Sequence, residues 1–550
     1  MAIIPVRGLA AKGILRDPSP FQLDLDAWSG GINVRFHANK AERAPIFRTV
    51  YDSLPVNPQF VAGYEVEDNF DKVVIAAGDG TLKSYTSGSL TDVTEAAHVA
   101  ATDPRAYTSC QLGEVIYINR PDGPPRSFKP TDTQFHNLAN MESAWTCRSL
   151  RAWGDYLVAL NVTKPLSWTD PHTGTLQVGG EFPNLFKWSD LTLIGQVPPS
   201  WDYLDPATSA GENPLEELKT QIVDGLAMRS NFIIYSEDEV WGAQQIQGNQ
   251  IFAFQRLFSD GGLIAPNCAV EVNGVHYCLG PNDVYRHDGV TKQSIIDKRN
   301  KYTLYRYLNI KKAEACFVHY IPHLDSVYFC FNSGDDSLTF KTADRCNCAA
   351  VYDIPGDTWS FIDLPNVSAA SLANIDNTLT WANAPSTAVW STIGGSYYDQ
   401  ENTFVKHSVW VSSTLSGQIT NARLTGYDFV NKGELAFAYT SEINPPAFLE
   451  RTGMDLDQFG QDLGSYKLIR RVFPQVEMFD NVPIEVIVGG SIMPSSASTY
   501  GAPVSFNPIN QYKVDVMKGG RYLSIRFTVD GIADFEVAGY DIDVVPNGKR

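Results

Sequence analysis

The sequence predicts a mainly β protein: a six-bladed β-propeller with inserted loops, plus a β-sandwich-like module formed by the N- and C-terminal segments. Three observations lead to this prediction. A strand-turn-strand phrase recurs six times, an apolar run precedes each copy, and both ends of the chain alternate apolar and polar residues outside the repeat. An alternation with a period of two is typical of a strand that buries one face.

The recurring phrase begins at an aromatic residue, passes through a turn rich in Asp and Gly, and ends in an apolar strand. Its anchors are Tyr85, Phe128, Trp188, Trp241, Tyr285 and Tyr352, and the copy at Trp241 is the weakest. Successive anchors lie 43, 60, 53, 44 and 67 residues apart. This spacing indicates a ground period of about forty-three residues with insertions, which is the size of a four-stranded propeller blade.

Each phrase follows an apolar run rich in Val, Ile, Tyr and Phe. The six runs are KVVIAAG, EVIYINR, DYLVALNV, NFIIYSED, GVHYCLG and SVYFCFNS. These residue types suit a pleated surface that is buried on both sides. We therefore expect the runs to be inner strands and the phrases to be outer hairpins. The alternative is an irregular β-sandwich whose strands resemble one another only in composition.

The pattern divides the chain into four regions. Residues 1–58 form an N-terminal arm and a β-hairpin that can pack with C-terminal strands, and residues 59–375 form the propeller. Residues 376–461, rich in Ser, Thr, Gly and Asn, are interpreted as a looser β or loop module and a candidate tip. Residues 462–550 return to clear strand patterns and form a C-terminal β module.

Insertions lengthen the repeat at residues 163–183, 197–218 and 297–312. Long insertions in a blade project from the disc, where they can contact neighbouring molecules. They can equally be surface loops that the fold tolerates. The sequence does not choose between these two interpretations.

Charge and composition limit the function. The formal net charge of −19 opposes a protein that grips nucleic acid, because such a protein neutralises phosphates with Lys and Arg. Simple solubility also explains an acidic balance. With 43% apolar and 19% charged residues, the chain is expected to be globular rather than disordered.

Cysteine usage and the N-terminus bear on location. The eight cysteines show no disulfide-framework spacing, and Pro5 and Arg7 interrupt the first apolar run, so no secretory signal is expected. No apolar run reaches the roughly 18 residues of a membrane span. We expect free thiols, as in a reducing cytoplasm.

Motifs for catalysis, cofactors and metals are weak, and we predict no catalytic, cofactor-binding or metal-binding residue. Cys316 and His319 would point to opposite faces of a strand, and the spacing of Cys346 and Cys348 is too short for a typical zinc pair. The carboxylates of a glycosidase are paired in space rather than in sequence. A propeller-based glycan-active hydrolase therefore remains an alternative, and a monomeric interaction scaffold is another.

Three stretches carry a resemblance to a known family: WSGGINVRFHANKAERAPIF, GLIAPNCAVEVNGVHYCLGPNDVYRHDG, and GGRYLSIRFTV followed by FEVAGYDIDVV. They resemble the tail nozzle proteins of short-tailed bacteriophages, also called tail tubular protein B. The resemblance implies a non-enzymatic virion protein, made and assembled in the host cytoplasm. It implies a homohexameric ring below the portal and adaptor ring that extends the DNA ejection channel. Its further implied partners are a tail fibre or spike and a tail plug or needle.

The residues suggest how such a channel would work. A wall of Asp and Glu repels a passing polyanion, whereas Lys and Arg would bind each phosphate and stall it. We therefore expect acidic side chains to line the lumen of the assembled ring and DNA to pass without specific binding. The candidates are charged loop tips, which are otherwise ordinary solvated turns: Glu237, Asp238, Glu239, Asp335 and Asp336.

Overall fold

The computed structural model describes residues 2–549 except 67–68, 87, 104, 142–143, 170–172, 247–250, 374–406, 429–441, 461–463, 479–482, 495 and 530. Within these residues antiparallel strands dominate, and the one α-helix is α1 (Lys301–Tyr307). Short 3-10 helices lie at Pro20–Gln22, Ile310–Ala315, Pro322–Leu324 and Asp457–Phe459. The predicted mainly β character is confirmed.

The first five strands do not form a sheet of their own. They are β1 (Ala2–Arg7), β2 (Gly30–Ile32), β3 (Val34–His37), β4 (Lys40–Arg43) and β5 (Ile46–Tyr51). β3 and β4 pair as the hairpin that the sequence predicts, with Val34 opposite Arg43 and Phe36 opposite Ala41. The other strands add to sheets built by distant parts of the chain.

Five consecutive four-stranded sheets follow, each built by strands adjacent in sequence. Sheet I contains β6 (Pro58–Val66), β7 (Asn69–Ala77), β8 (Leu82–Thr86) and β9 (Ser89–Asp92). Sheet II contains β10 (Thr108–Leu112), β11 (Val115–Asn119), β12 (Arg126–Phe128) and β13 (His136–Asn137). Sheet III contains β14 (Thr146–Trp153), β15 (Tyr156–Thr169), β16 (Leu176–Trp188) and β17 (Gly211–Pro214). Sheet IV contains β18 (Ile222–Met228), β19 (Asn231–Ser236), β20 (Val240–Gln245) and β21 (Phe252–Phe258). Sheet V contains β22 (Ala269–Val272), β23 (Val275–Leu279), β24 (Val284–His287) and β25 (Lys292–Ser294).

Two further four-stranded units share one long strand, β29 (Thr358–Ala373). Its first part closes sheet VI, after β26 (Phe317–Ile321), β27 (Ser326–Phe331) and β28 (Cys346–Asp353). Its second part opens sheet VII, which continues through β30 (His407–Ser412) and β31 (Arg423–Asp428) and ends with β5. Asn366, with φ +50°, lies between the two parts, and its side-chain amide binds the carbonyl oxygens of Ser413 and Thr414. This left-handed residue bends the strand from one sheet into the next.

The seven sheets form a closed, propeller-like ring. Buried apolar clusters join sheets I and II, II and III, III and IV, VI and VII, and VII and I, and a larger cluster joins sheets IV, V and VI. The last contact of the ring sets Val61 and Ile75 of sheet I against Val409 and Leu424 of sheet VII. The first strand of each sheet lies toward the common axis, where the first strands contact one another.

The predicted six blades are not confirmed, because the described residues contain a seventh four-stranded unit. Sequence spacing missed it for a topological reason. Its first strand is the end of β29, and its outer strand β5 comes from the other end of the chain. Neither strand therefore stands at the repeat distance from Tyr352.

The predicted inner strands occupy a different position in the sheets. The apolar runs form the second strands, β7, β11, β15, β19, β23 and β27, while the aromatic anchors lie within or at the end of the third strands. A second strand is covered on both faces by neighbouring sheets, and every residue of β11 and β27 is buried. First strands face the axis and are more polar, as TSCQL in β10 illustrates.

The two chain ends build a second module of two six-stranded sheets. The first sandwich sheet contains β1, β3 and β4 with β33 (Ser465–Met478), β37 (Val514–Gly520) and β39 (Phe535–Lys549). The second contains β2 with β32 (Ala447–Met454), β34 (Ile484–Ser491), β35 (Thr499–Tyr500), β36 (Val504–Phe506) and β38 (Tyr522–Val529). Trp28 packs between them, 6.3 Å from the ring of Phe527 and 6.2 Å from that of Tyr540.

The region predicted as a looser module, residues 376–461, is divided. Residues 376–406, 429–441 and 461 of this region lie outside the described residues. The strands β30 and β31 belong to the ring, and β32 belongs to the sandwich module. This region therefore contributes strands to both parts of the molecule.

Candidate functional site at the centre of the ring

The first strands surround a small central cavity of about 170 Å³. All seven sheets contribute to its wall; examples are Val61, Ser109, Arg151, Asp224, Ala269, Val318 and Ala370. Such a volume holds a few water molecules, each of which occupies about 30 Å³ in the liquid. It does not admit double-stranded DNA, because a duplex is wider than its own major groove of about 12 Å and needs far more room than a few water molecules.

An ion pair between Arg151 and Asp224 lies at this cavity. The guanidinium donates from Nε to Asp224 Oδ1 at 2.9 Å and from Nη2 to Oδ2 at 2.6 Å. Arg151 is in β14 and Asp224 in β18, so the pair connects sheets III and IV. Two parallel hydrogen bonds make this the geometrically most specific form of a salt bridge.

Other groups complete the coordination of both charges. Asp224 also accepts from the Ser149 hydroxyl at 2.5 Å, from the amide of Gly225 at 2.8 Å and from the amide of Asn267 at 2.8 Å. Arg151 also donates to the Ser109 carbonyl at 3.1 Å and to Asn267 Oδ1 at 2.8 Å. The carboxylate is thus saturated and cannot act as a free base.

Asn267 extends the network to further sheets. Its side-chain amide donates to the carbonyl of Tyr107 at 2.8 Å, and its own carbonyl accepts from the amide of Val318 at 2.8 Å. Asn267 adopts φ +62°, a conformation that Asn tolerates better than most residues. Sheets II, III, IV, V and VI therefore meet in one hydrogen-bonded set around the axis.

The pKa of Asp224 shows which effect dominates at the centre. Burial alone would raise this pKa, but the charge and hydrogen bonds of Arg151, together with Ser149 and Asn267, outweigh burial and leave it below its ordinary value. Burial tends to lower the pKa of Arg151, but the charge of Asp224 raises it above its ordinary value. Both groups are therefore ionised near neutral pH, as a structural tie requires.

A second ion pair lies beside the cavity. Arg148 of β14 contacts Glu314, which belongs to the 3-10 segment Ile310–Ala315 before sheet VI and lines the cavity. Arg148 is largely buried, whereas 41% of the Glu314 side chain is exposed. The two carboxylates of the cavity, Asp224 and Glu314, are therefore each held by an arginine.

The five predicted channel residues differ in their exposure to solvent. Glu239 is fully buried, with Oε1 3.0 Å from Lys219 Nζ and Oε2 accepting from Trp241 Nε1 at 3.2 Å. Within this subunit it anchors the start of β20 and presents no charge to solvent. Glu239 directly precedes β20, and its side chain points into the protein. The charge of a residue alone does not predict this direction.

Glu237 and Asp238 are exposed at the turn between β19 and β20. Gln221 donates to Glu237 Oε1 at 2.8 Å, and Thr220 donates to Asp238 Oδ1 at 2.7 Å. These contacts hold two carboxylates at the surface. They match the predicted solvated loop tip, and their position relative to a lumen stays a prediction.

Asp335 and Asp336 lie between β27 and β28 and differ in environment. Asp335 is mostly buried, 3.5 Å from Arg16 Nη1, whereas the side chain of Asp336 is fully exposed. Because strands alternate in direction, turns between second and third strands lie on one face of the ring. Asp336, Glu237 and Asp238 therefore share that face.

Sequence reasoning missed Arg151 and Asp224. The available signal was a single charged residue inside an otherwise uncharged strand segment, as in SLRAW and IVDGLAM. A buried charge needs a partner, but the partner lies on another sheet, so spacing along the chain could not identify it.

Cys316 and His319, whose side chains are possible metal ligands, have hydrogen-bond partners inside the protein. His319 Nε2 lies 2.7 Å from the Ser408 hydroxyl, and the carbonyl of Cys316 accepts from Cys268 Sγ at 3.4 Å. All eight cysteines are free of disulfides. No group of three or more His, Cys, Asp or Glu side chains suited to a metal occurs among the residues placed in the structure.

A buried histidine pair lies between sheets IV and V. The hydroxyl of Tyr235 is 2.7 Å from His276 Nδ1 and 2.7 Å from His287 Nε2. His276 Nε2 lies 3.0 Å from the carbonyl of Ala227 and must donate to it, so Nδ1 accepts from Tyr235. His287 then donates from Nε2 to the tyrosine oxygen, and the three groups form a chain of neutral hydrogen bonds.

Across the described parts of the chain, no helix is both long and apolar enough to cross a bilayer.

Comparison with known proteins adds little. No protein-family model matches the chain, and no curated protein matches it. Similar solved structures include the computationally designed Ika8 protein, with 13% identity, a TM-score of 0.35, and coverage of 70% of this chain and 100% of that one. The WD40 β-propeller domain of Doa1 has 9% identity, a TM-score of 0.33, and coverage of 70% of this chain and 98% of that one. Both TM-scores are low, so the description of the ring rests on this chain's own sheets.

Proposed function

We propose that the chain is a structural virion protein, the subunit of a tail nozzle ring that extends a DNA ejection channel. In this proposal the seven ring sheets are the blades of a propeller. Copies assemble about an axis outside each propeller, and that shared axis is the channel. The ring sits below a portal and adaptor ring and carries a fibre or spike.

The observation that supports this proposal most is the closed centre of the subunit. The central cavity of a single propeller has a volume of only about 170 Å³, and the Arg151–Asp224 network forms part of its wall. A DNA channel therefore requires several copies. The charges at this centre are paired and fully hydrogen-bonded, which also favours a rigid building block over an enzyme.

Charge supports the same proposal. The net charge is −19, and the exposed carboxylates of Glu237, Asp238 and Asp336 lie on one face of the ring. If this face turns toward the channel, it repels the phosphates of passing DNA and leaves the DNA unbound. The assignment of these three residues to a lumen is part of the proposal.

Electron microscopy of the purified protein, alone and mixed with its adaptor ring, tests this function. We expect rings with an axial opening wide enough for a DNA duplex and a negative potential along the wall. Particles without an opening, or a lumen that is positively charged, would contradict the proposal.

A glycan-active hydrolase is the alternative that one observation favours, because Asp224 and Glu314 both line the cavity. Glycosidases use two carboxyl groups, one of them able to give up a proton. Here Arg151 keeps the pKa of Asp224 low, and Arg148 binds Glu314. Release of sugar from capsule or cell-wall glycans, lost in Asp224→Asn, would establish this alternative instead.

A further inference from the structure

The insertion in sheet III forms a projecting two-stranded arm. We define the arm as residues 164–169 of β15 and 176–182 of β16. β14 pairs with β15 only as far as Thr163, and β17 pairs with β16 only from Leu185, so neither edge strand of the sheet accompanies the arm. Six residues of strand correspond to a reach of about 20 Å.

One face of the arm packs on its own subunit. Trp168 is buried, with its ring 5.3 Å from that of Trp145 in an edge-to-face arrangement. Lys164 is also buried and binds both carboxylate oxygens of Glu212 at 2.8 Å. These contacts fix the direction of the arm relative to the ring.

The outward face of the arm carries three exposed apolar side chains beside the polar Ser167 and Thr169. Leu176 and Val178 lie on the same side of β16 and are 73% and 85% exposed, and Leu166 is 84% exposed at an irregularity in β15. A solvated strand face normally carries polar residues. An exposed apolar edge hairpin promotes association with another chain, so a partner surface is expected.

The same subunit carries a second apolar surface on the opposite face of the ring. We call this surface the loop patch; it consists of Leu191, Leu193 and Ile194, which are 50%, 75% and 79% exposed. The loop is held against the turn between β14 and β15, because Thr192 donates to the carbonyl of Asp155 at 3.0 Å. The arm extends from the other end of β15, so the two surfaces face in opposite directions.

Charge indicates what covers them. The chain has a net charge of −19, so two copies repel one another over most of their surfaces. The charged residues within the arm are Lys164, which Glu212 neutralises, and Glu181 near its base. The loop patch residues are uncharged, so two copies can approach through these two surfaces without bringing exposed carboxylates of either surface together.

We propose that the arm of one copy docks on the loop patch of the next copy of the same chain. Because the two surfaces differ, the contact is heterologous, and repetition generates a ring or an open fibre rather than a closed dimer. This inference rests on the proposed function for the existence of a ring but names the contact between subunits independently of the lumen assignment. The arm rises from the face that carries Glu237, Asp238 and Asp336, so the arm contact turns that face toward the next copy rather than toward the channel. It requires no DNA, adaptor or fibre.

Complementary variants test this contact through sedimentation velocity over a wide concentration range. Leu176→Asp with Val178→Asp removes the arm surface, and Ile194→Asp removes the loop patch. Each variant alone should be monomeric where the unmodified chain assembles. Their mixture should stop at a one-to-one dimer, because one intact arm then meets one intact patch. Val290→Asp, at an 84% exposed position on sheet V, is the matched control and should assemble normally.

The outcomes separate this inference from the proposed function. A chain that stays monomeric at all concentrations, variants that assemble like the unmodified chain, or a mixture that forms no dimer would overturn the arm contact. If rings with an open axis form through another surface, the nozzle proposal stands and the arm contact fails. If the arm contact is confirmed but produces fibres without an axial opening, the nozzle proposal fails instead. The substituted side chains are exposed, and unfolding curves of the variants check that the fold is kept.

Discussion

The guanidinium of Arg151 and the carboxylate of Asp224 meet in a bidentate pair across two sheets, with N–O distances of 2.9 and 2.6 Å. Three more donors complete the carboxylate. This relationship makes the centre of the ring a stabilising element, and the first prediction follows from it.

Asp224→Ala should destabilise the protein strongly. The substitution leaves Arg151 buried without its counter-ion and removes the acceptor of Ser149 and of two backbone amides. Removal of one partner of a buried pair costs about 3–5 kcal/mol. Urea unfolding measures the loss, and Asp336→Ala, at a fully exposed position, should leave the free energy of unfolding almost unchanged. Equal effects of the two variants would contradict the role given to Asp224.

Glu239→Ala and Glu237→Ala should differ although the two residues are neighbours in one turn. Glu239 is fully buried and accepts from Trp241, so its loss leaves a buried donor unsatisfied, at a cost of about 1–3 kcal/mol. Glu237 is exposed, and its substitution should leave stability almost unchanged. Paired unfolding experiments on the two variants check this, and a larger effect at Glu237 would reverse the assignment.

Gly63→Ala should weaken the closure of the ring. A Cβ atom at Gly63 would collide with the carbonyl oxygen of Leu372, where β6 of sheet I lies against β29 of sheet VII. One strand would have to move away from the other, and we expect a loss of about 1–3 kcal/mol. At Gly78 the nearest atom to an added Cβ is 3.8 Å away, so Gly78→Ala is the control. The midpoint of thermal unfolding should be lower for Gly63→Ala than for Gly78→Ala. Equal midpoints would contradict the close approach of β6 and β29.

Stability should fall as the pH is lowered below about 6.5. Burial lowers the pKa of His276 to about 4, burial and the neighbouring His276 lower that of His287 to about 3, and burial lowers that of His319 to about 3. Between these values and the unfolded value of about 6.5, the unfolded chain binds more protons than the folded chain, so protonation favours unfolding. Each histidine contributes a slope of about 1.4 kcal/mol per pH unit in this window.

His319→Gln isolates one of these contributions. Glutamine can still bond to Ser408 but does not titrate, so the slope of unfolding free energy against pH should decrease by about 1.4 kcal/mol per pH unit. Asp363 acts in the opposite direction, because burial raises its pKa to about 6 and the folded state binds its proton. An unchanged slope in the variant would show that His319 is protonated without unfolding.

The sequence predicted the parts of the fold that repeat locally. Third-strand aromatics such as Tyr85 and Tyr285 marked the outer hairpins, and the alternation of apolar and polar residues near the N-terminus predicted the hairpin there. It missed what depends on distant pairing: β5 joins β31, and β29 serves two sheets. The centre was missed for the same reason, since Arg151 and Asp224 belong to different sheets.

The predicted channel residues differ in solvent exposure, and their shared negative charge does not predict this difference. Asp336, Glu237 and Asp238 face solvent, whereas Glu239 turns inward toward Trp241. All five carry the same kind of charge in a turn. The direction of a side chain depends on the backbone that follows it, and this is not encoded in composition.

The pairing of β5 with β31 has a consequence for biosynthesis. The ribosome produces β5 long before β31, and at 5–20 residues per second the interval is on the order of 20 to 80 s. During that time the early strand has no partner within its own nascent chain. Two chains translated from one mRNA can then exchange β5, so that the β5 of each chain pairs with the β31 of the other. The result is a domain-swapped dimer that uses the same strand pairing as the monomer.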